Sequence, residues 1–206
     1  MGRADSAPGL DAAALQRTLA GRLIGRRIVV LESTTSTNDA VLQMAETGAE
    51  EGLVVFAEQQ TAGRGQHGKH WESAPRQGLW FSILLRPGLA LAESARLTTW
   101  AAQAVATSIS RELSLPAKIK PPNDIFIAHR KVAGVLVEMR AQPDLPHLAI
   151  VGIGLNVNQS AADFSPALRE TSISLAMAAQ QPVARQDFAA ALLRELDETY
   201  RAAFAP

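Results

Sequence analysis

The chain has 206 residues, 47% of them hydrophobic, enough for one packed core and most simply a single domain over residues 1–206. Its 20 basic and 20 acidic residues cancel, so no overall charge favours nucleic acid or an anionic membrane. Cysteine is absent, which excludes disulfides, thiol nucleophiles and thiolate metal sites, and the four histidines lack metal-ligand spacing.

No apolar stretch approaches the roughly 20 residues of a membrane span, and the start Met1-Gly2-Arg3-Ala4-Asp5 leads to no signal-peptide core. A cytoplasmic location is the expectation. Leu15, Leu19 and Leu23 predict a helix over residues 11–23, too short for a helix-turn-helix module. Residues 28–31 read as a strand. Residues 33–39, Ser-Thr-Thr-Ser-Thr-Asn-Asp, precede a helix whose apolar side carries Ala40, Val41, Met44 and Ala45. Such a cluster reads first as an N-cap. Its hydroxyls and amide could also face a small polar heterocycle, but the segment by itself favours the cap.

Residues 53–60 form a strand that feeds a loop with Gly63, Gly65 and Gly68 set among Arg64, Gln66, His67 and Lys69. Glycine admits close backbone approach, and cations between glycines suit an anion. The string satisfies a dinucleotide fingerprint and most of a P-loop, but both require a helix immediately after the glycines. Here residues 78–85 read as a strand, so both are set aside. An Ala-rich helix over residues 93–113 follows, its Leu97, Trp100, Ala101, Ala104, Val105 and Ile109 stripe serving the core.

Residues 116–140 hold two strands around Lys120-Pro121-Pro122-Asn123-Asp124. The turn chemistry explains Pro-Pro-Asn-Asp by itself, and Lys131 could be a solvated charge. Yet Lys131 opens an apolar strand in which Gly134 marks a close approach, and Asp124 near Lys120 offers groups that a metal–nucleotide site uses. Along residues 147–157, Gly152, Gly154 and Asn156 alternate with Val151, Ile153, Leu155 and Val157, so something presses on that strand face. Helices over 172–179 and 186–204 close the chain.

Taken in order, Ser-Thr-Asn at 36–38, Gln-Thr-Ala-Gly-Arg-Gly at 60–65 with Trp71, Pro-Asn-Asp after Lys120, Lys-x-Ala-Gly-x-Leu-x-Glu at 131–138 and Gly-x-Gly-x-Asn-x-Asn at 152–158 resemble biotin protein ligases. The resemblance spans most of the chain. It implies a largely antiparallel mixed α+β sheet with helices packed on one side, similar to class II aminoacyl-tRNA synthetases. The short form fits best, without a DNA-binding domain and without the small C-terminal β-barrel of many members.

The implied activity joins biotin to MgATP as biotinyl-5′-AMP, then transfers biotin to a lysine of a biotin carboxyl carrier domain. No nucleic acid, membrane or tightly bound cofactor is expected, and a homodimer through a sheet edge is compatible. By resemblance, Arg64 and Lys131 serve catalysis. Ser36, Thr37, Asn38, Gln60, Gly63, Arg64, Gly65, Gln66, Lys131 and Gly134 bind biotin. Trp71, Lys120, Asn123, Asp124 and Asn156 bind the nucleotide, with Asp124 toward magnesium. Backbone N–H groups at Gly63 and Gly65 add donors.

The chain departs from the family pattern where Gln66 replaces an arginine that retains the adenylate, where Lys69 replaces Arg or Asn, and where Pro121 replaces a tryptophan. A lipoate or octanoate ligase or transferase, and a non-catalytic biotin-binding module, are the alternatives. The polar 36–38 cluster suits biotin better than a fatty acyl chain.

Overall fold

The computed structural model describes residues 8–142 and 146–204; the opening residues 1–7, read above for a signal core, lie outside it. Helix α1 (Ala12–Thr18) begins at Asp11, whose side chain accepts from the Ala14 N–H. It stops earlier than the leucine pattern predicts. The chain turns at Gly21, with φ of +80°, and the N–H groups of Leu23 and Ile24 go to the buried Asp197 carboxylate instead of continuing the helix.

Seven strands form one sheet: β1 (Arg27–Leu31), β2 (Leu53–Ala57), β3 (Gly78–Leu85), β4 (Lys118–Lys120), β5 (Asp124–Ile127), β6 (Arg130–Arg140) and β7 (Leu148–Asn156). Their order is β1-β2-β3-β7-β6-β5-β4, and only β1 and β2 run parallel. A parallel pair needs a crossover, supplied here by α2 (Thr37–Glu46). That connection puts the Ser-Thr-Asn cluster and Gln60 side by side at the ends of adjacent strands. Thr34 and Gln60 continue the pairing as an isolated bridge.

Alternation along the strands sorts their side chains onto two faces. One carries Val54, Phe56, Phe81, Ile83, Val151 and Ile153 into the main core beneath α1, α3 (Ser94–Leu113) and α5 (Arg185–Phe204). On α3 the predicted stripe is buried, and its Trp100 packs edge-on or tilted against Tyr200 and Phe204 of α5. A side chain such as Leu97, fully withdrawn from water, contributes roughly 1.5–3 kcal/mol.

The opposite face changes character along its length. At one end Leu53, Val55, Leu84, Leu148 and Ile150 pack on Val41 of α2. Toward the other end the same face carries Ser82, Gly152, Gly154 and Gly134, paired across β3, β7 and β6. Small residues there leave a hollow beside α2. The last short helix, α4 (Leu175–Ala179), is capped by Ser174, whose hydroxyl accepts from Met177 N–H.

Candidate functional site

The hollow is a cavity of about 490 Å³, roofed by the glycine loop and by the segment after β7. That size suits a small organic ligand. The loop is a miniature hairpin. Arg64 bridges His70, Gly65 N–H donates to Lys69 O at 2.7 Å, and Trp71 N–H donates to Gly63 O at 2.8 Å. A Cβ on Gly63 would sit 2.7 Å from the Trp71 carbonyl oxygen, so glycine is required for the strands of the hairpin to meet. This corrects one expectation: the Gly65 N–H is spent inside the loop, because the hairpin must satisfy its own backbone. Strand β3 follows the loop, so neither the dinucleotide nor the P-loop geometry exists here.

At the α2 end, polar groups form a connected set. Gln60 Oε1 accepts from Thr37 N–H at 2.8 Å and lies 3.1 Å from Thr37 Oγ1. Ser82 Oγ lies 2.7 Å from Thr37 Oγ1 and donates to Asn38 Oδ1 at 2.6 Å. Asn38 Nδ2 donates to Glu138 Oε2 at 2.7 Å. Ser36 stands at the N-cap of α2 but makes no side-chain cap hydrogen bond. The simple capping reading is therefore insufficient. Ser36, Thr37 and Asn38 are all buried and line the cavity, as does Gln60.

Arg64 grips Asp39 with both terminal nitrogens, Nη1–Oδ2 at 2.6 Å and Nη2–Oδ1 at 2.7 Å, and its Nη2 lies 3.6 Å from Glu138 Oε2. The Arg64 hydrogen bond holds the Asp39 carboxyl below the ordinary value of 3.8, against the opposing effect of burial. Lys131 Nζ lies 2.6 Å from Asp124 Oδ1, a close ion pair whose angles fall short of a hydrogen bond. The same ammonium stands 5.2 Å from the centre of the Trp71 ring. Its backbone is clamped by Thr171 and Ile173, with Lys131 N–H donating to Thr171 O and Ile173 N–H to Lys131 O.

Trp71 forms the middle of the floor. Gly134 and Gly154 are cross-strand partners, and the indole lies over both. A Cβ on Gly154 would meet Trp71 Cε2 at 2.5 Å. The pressure on the small face of β7 thus comes from Trp71 and, at Gly152, from Asn38. The indole Nε1 is buried without a hydrogen-bond partner.

At the far end, Asn123 Nδ2 donates to Val135 O at 2.9 Å and ties the Pro-Asn-Asp turn to β6. Asn156 Nδ2 donates to Ile173 O, and its Oδ1 accepts from Gln159 Nε2 at 3.0 Å. Both amides therefore shape the wall through protein contacts while facing the cavity. Lys120, Asp124 and Gln66 line it too, with Phe164 and Leu168 as an apolar wall. Magnesium characteristically arrives on a nucleotide and takes one or two carboxylates. Asp124 and Glu72 are the carboxylates that line the cavity, and among the described residues no group of three His, Cys, Asp or Glu could hold a metal alone.

The cavity brings together every side chain and glycine expected in the site, Gly63 excepted, which packs against Trp71 and Gln60 within the loop. Sequence reasoning missed Asp39, Ser82 and Glu138. Ser82 carried a signal, as a hydroxyl inside the apolar run of β3, and Glu138 closed a quoted motif without a role. Asp39 carried none beyond its place in the first turn of α2, where an acid favours the helix dipole.

Residues 30–156, from within β1 to the end of β7, match the family described as Biotin/lipoate A/B protein ligase. The chain is 36% identical over 179 residues to the bifunctional ligase/repressor BirA of Bacillus subtilis, covering 87% of this chain and 55% of that protein. It is 35% identical over 196 residues to the biotin–(acetyl-CoA-carboxylase) ligase of Mycobacterium tuberculosis, covering 92% of this chain and 70% of that one. The chain spans about half the length of the ligase/repressor relatives it matches, 55% in the Bacillus subtilis case. Among solved structures, the biotin protein ligase from Aquifex aeolicus in complex with biotin and ATP aligns with a TM-score of 0.72 at 27% identity, over 84% of this chain and 70% of that one. With its sheet, its cavity and its sequence in agreement, this chain belongs to the biotin/lipoate A/B protein ligase family.

Proposed function

We propose that this chain is a biotin protein ligase, forming biotinyl-5′-AMP from biotin and MgATP and passing the biotinyl group to a lysine of a biotin carboxyl carrier domain. The observation that carries this reading is convergence. Arg64 and Lys131, from segments far apart in sequence, line one cavity together with the hydrogen-bonded Thr37–Gln60 pair. The polar end around Thr37, Asn38 and Gln60 supplies donors and acceptors for a ureido ring, which a fatty acyl chain would leave unused.

In the first step the biotin carboxylate attacks the α-phosphorus and pyrophosphate leaves. Two anions must approach, so positive charge is needed where they meet. Arg64 can fork onto carboxylate or phosphate oxygens, and Lys131 adds a point charge beside Trp71. Magnesium bound to the nucleotide would neutralise phosphate charge, with Asp124 as its protein ligand. In the second step the carrier lysine attacks the activated carbonyl and AMP departs. The chain's own residues position and polarise; no protein nucleophile is needed.

The names of the relatives support biotin as substrate and acetyl-CoA carboxylase as the acceptor's parent enzyme. A homodimer remains part of the proposal. Its available edge is β1, because β4 exposes Lys118 and Lys120 on a three-residue strand, and such charges oppose edge-to-edge pairing. Among the described residues no helix is long and apolar enough to cross a membrane.

The test is the intact mass of an isolated biotin carrier domain after incubation with this chain, MgATP and equal biotin and octanoate. A biotinyl adduct that disappears with Lys131→Ala is the expected result. An octanoyl adduct would move the chain to the lipoyl branch, and biotin binding without any adduct would defeat the ligase reading.

A further inference from the structure

Arg64 is the group best shaped to recognise a carboxylate in the cavity, yet a carboxylate of the chain itself already fills its fork. Asp39 stands one residue beyond Asn38, in the first turn of α2, and both its oxygens are bound by Arg64. A second carboxylate, Glu138, approaches the same guanidinium at 3.6 Å and is held in place by Asn38. Two negative side chains thus surround one cation. A planar guanidinium presents one matched pair of donors to a carboxylate, so an incoming anion requires the geometry that Asp39 occupies.

We propose that Asp39 is a specificity-determining residue that competes with the ligand's carboxylate for Arg64, a role that rests on the biotin reading given above. A stray small anion meets the displacement penalty with no other contacts to offset it. A ligand that also satisfies the Thr37–Gln60 end gains enough from its other contacts to displace Asp39. The pair is partly exposed, with 39% of the Arg64 side chain and 48% of the Asp39 side chain accessible. It is therefore weak, and displacement lowers ligand affinity by about two- to fivefold.

The experiment is calorimetric titration of the full chain with biotin and with biotinamide, which keeps the ureido ring and lacks the charge. Asp39→Asn is expected to tighten biotin binding by about two- to fivefold and to leave biotinamide binding unchanged. Asp39→Ala should behave alike, guarding against a peculiarity of the asparagine amide. In an Arg64→Ala background, Asp39→Asn should have no effect on biotin.

Weaker or unchanged biotin binding in Asp39→Asn would overturn the proposal and make Asp39 a support for Arg64 instead. Equal tightening for biotin and biotinamide, or the same tightening without Arg64, would overturn it too, by showing a merely structural effect. Failure of the unaltered chain to bind either ligand would count against the biotin reading itself, and against this role with it.

Discussion

Arg185 and Glu58 form a buried ion pair at 2.8 Å, with 6% and 2% of their side chains exposed, between the start of α5 and the end of β2. Arg185 also donates to Gly78 O, the first residue of β3, and the Glu58 carboxylate accepts from Leu10 N–H. The pair therefore ties together the two stems of the glycine loop, and the cavity roof depends on it. Removing one partner leaves the other charge buried, at a cost of about 3–5 kcal/mol. Arg185→Met should lose that much stability in urea denaturation. The double variant with Glu58→Leu should lose less than the sum of the two single changes, because no unpaired charge remains.

Arg64→Lys should reduce adenylate formation by roughly 10²–10³-fold despite keeping the charge. Lysine is a point charge and cannot span two oxygens at once. Pyrophosphate release in a single turnover is the measurement, and a rate near that of the unaltered chain would show that charge alone suffices.

Gly154→Ala should destabilise the chain by about 1–3 kcal/mol, the usual cost of overpacking. The added methyl would fall 2.5 Å from Trp71 Cε2, and the indole has Gly134 and Lys131 on its other contacts. Thermal unfolding with nucleotide titration checks this. Lowered stability together with weakened nucleotide binding is expected, since Trp71 must leave its seat.

Gln66 lines the cavity at the tip of the loop hairpin. Replacing it with arginine should slow escape of the biotinyl adenylate by about fivefold, the difference between a charge-assisted and a neutral hydrogen bond. Release of labelled adenylate into solution reports the rate directly, and equal rates would remove Gln66 from any role in retention.

Tyr200 is the chain's one tyrosine. Burial raises its pKa above the ordinary 10.0, assisted by its hydrogen bond to Glu51 and by that carboxylate's charge. The folded state thus holds the proton more tightly than the unfolded state. Its stabilising contribution is complete below pH 10.0 and is lost progressively as the pH climbs toward the raised value. Alkaline titration should show phenolate absorbance only as the chain unfolds.

Local sequence was enough to place most elements, because strands and long helices write their burial into their periodicity. β3 and α3 emerge at or within one residue of the predicted bounds, β3 as an apolar run buried on both faces and α3 as an uninterrupted pattern of period 3.6. α1 does not: its leucines run on to Leu23, but the helix ends at Thr18, and beyond the turn Asp197, 174 residues away from Leu23, captures the N–H groups of Leu23 and Ile24. The motifs at residues 60–65, 120–124 and 131–134 were legible as candidate chemistry, because glycine, arginine, lysine and clustered amides are costly choices inside an apolar chain, whereas 36–38 by itself read as a helix cap.

What each of those residues touches was not legible. Arg64 could have been aimed at solvent, and only the β1–α2–β2 crossover brings Asp39 to it from 25 positions earlier. Gly134 of β6 and Gly154 of β7 announced a close neighbour without naming Trp71, because that neighbour comes from a loop more than 60 residues before them. Ion pairs such as Glu58–Arg185, 127 positions apart, have no sequence signature at all. Side-chain period records which face of an element is buried; which partner meets that face is decided when the sheet closes, and that is a property of the whole chain.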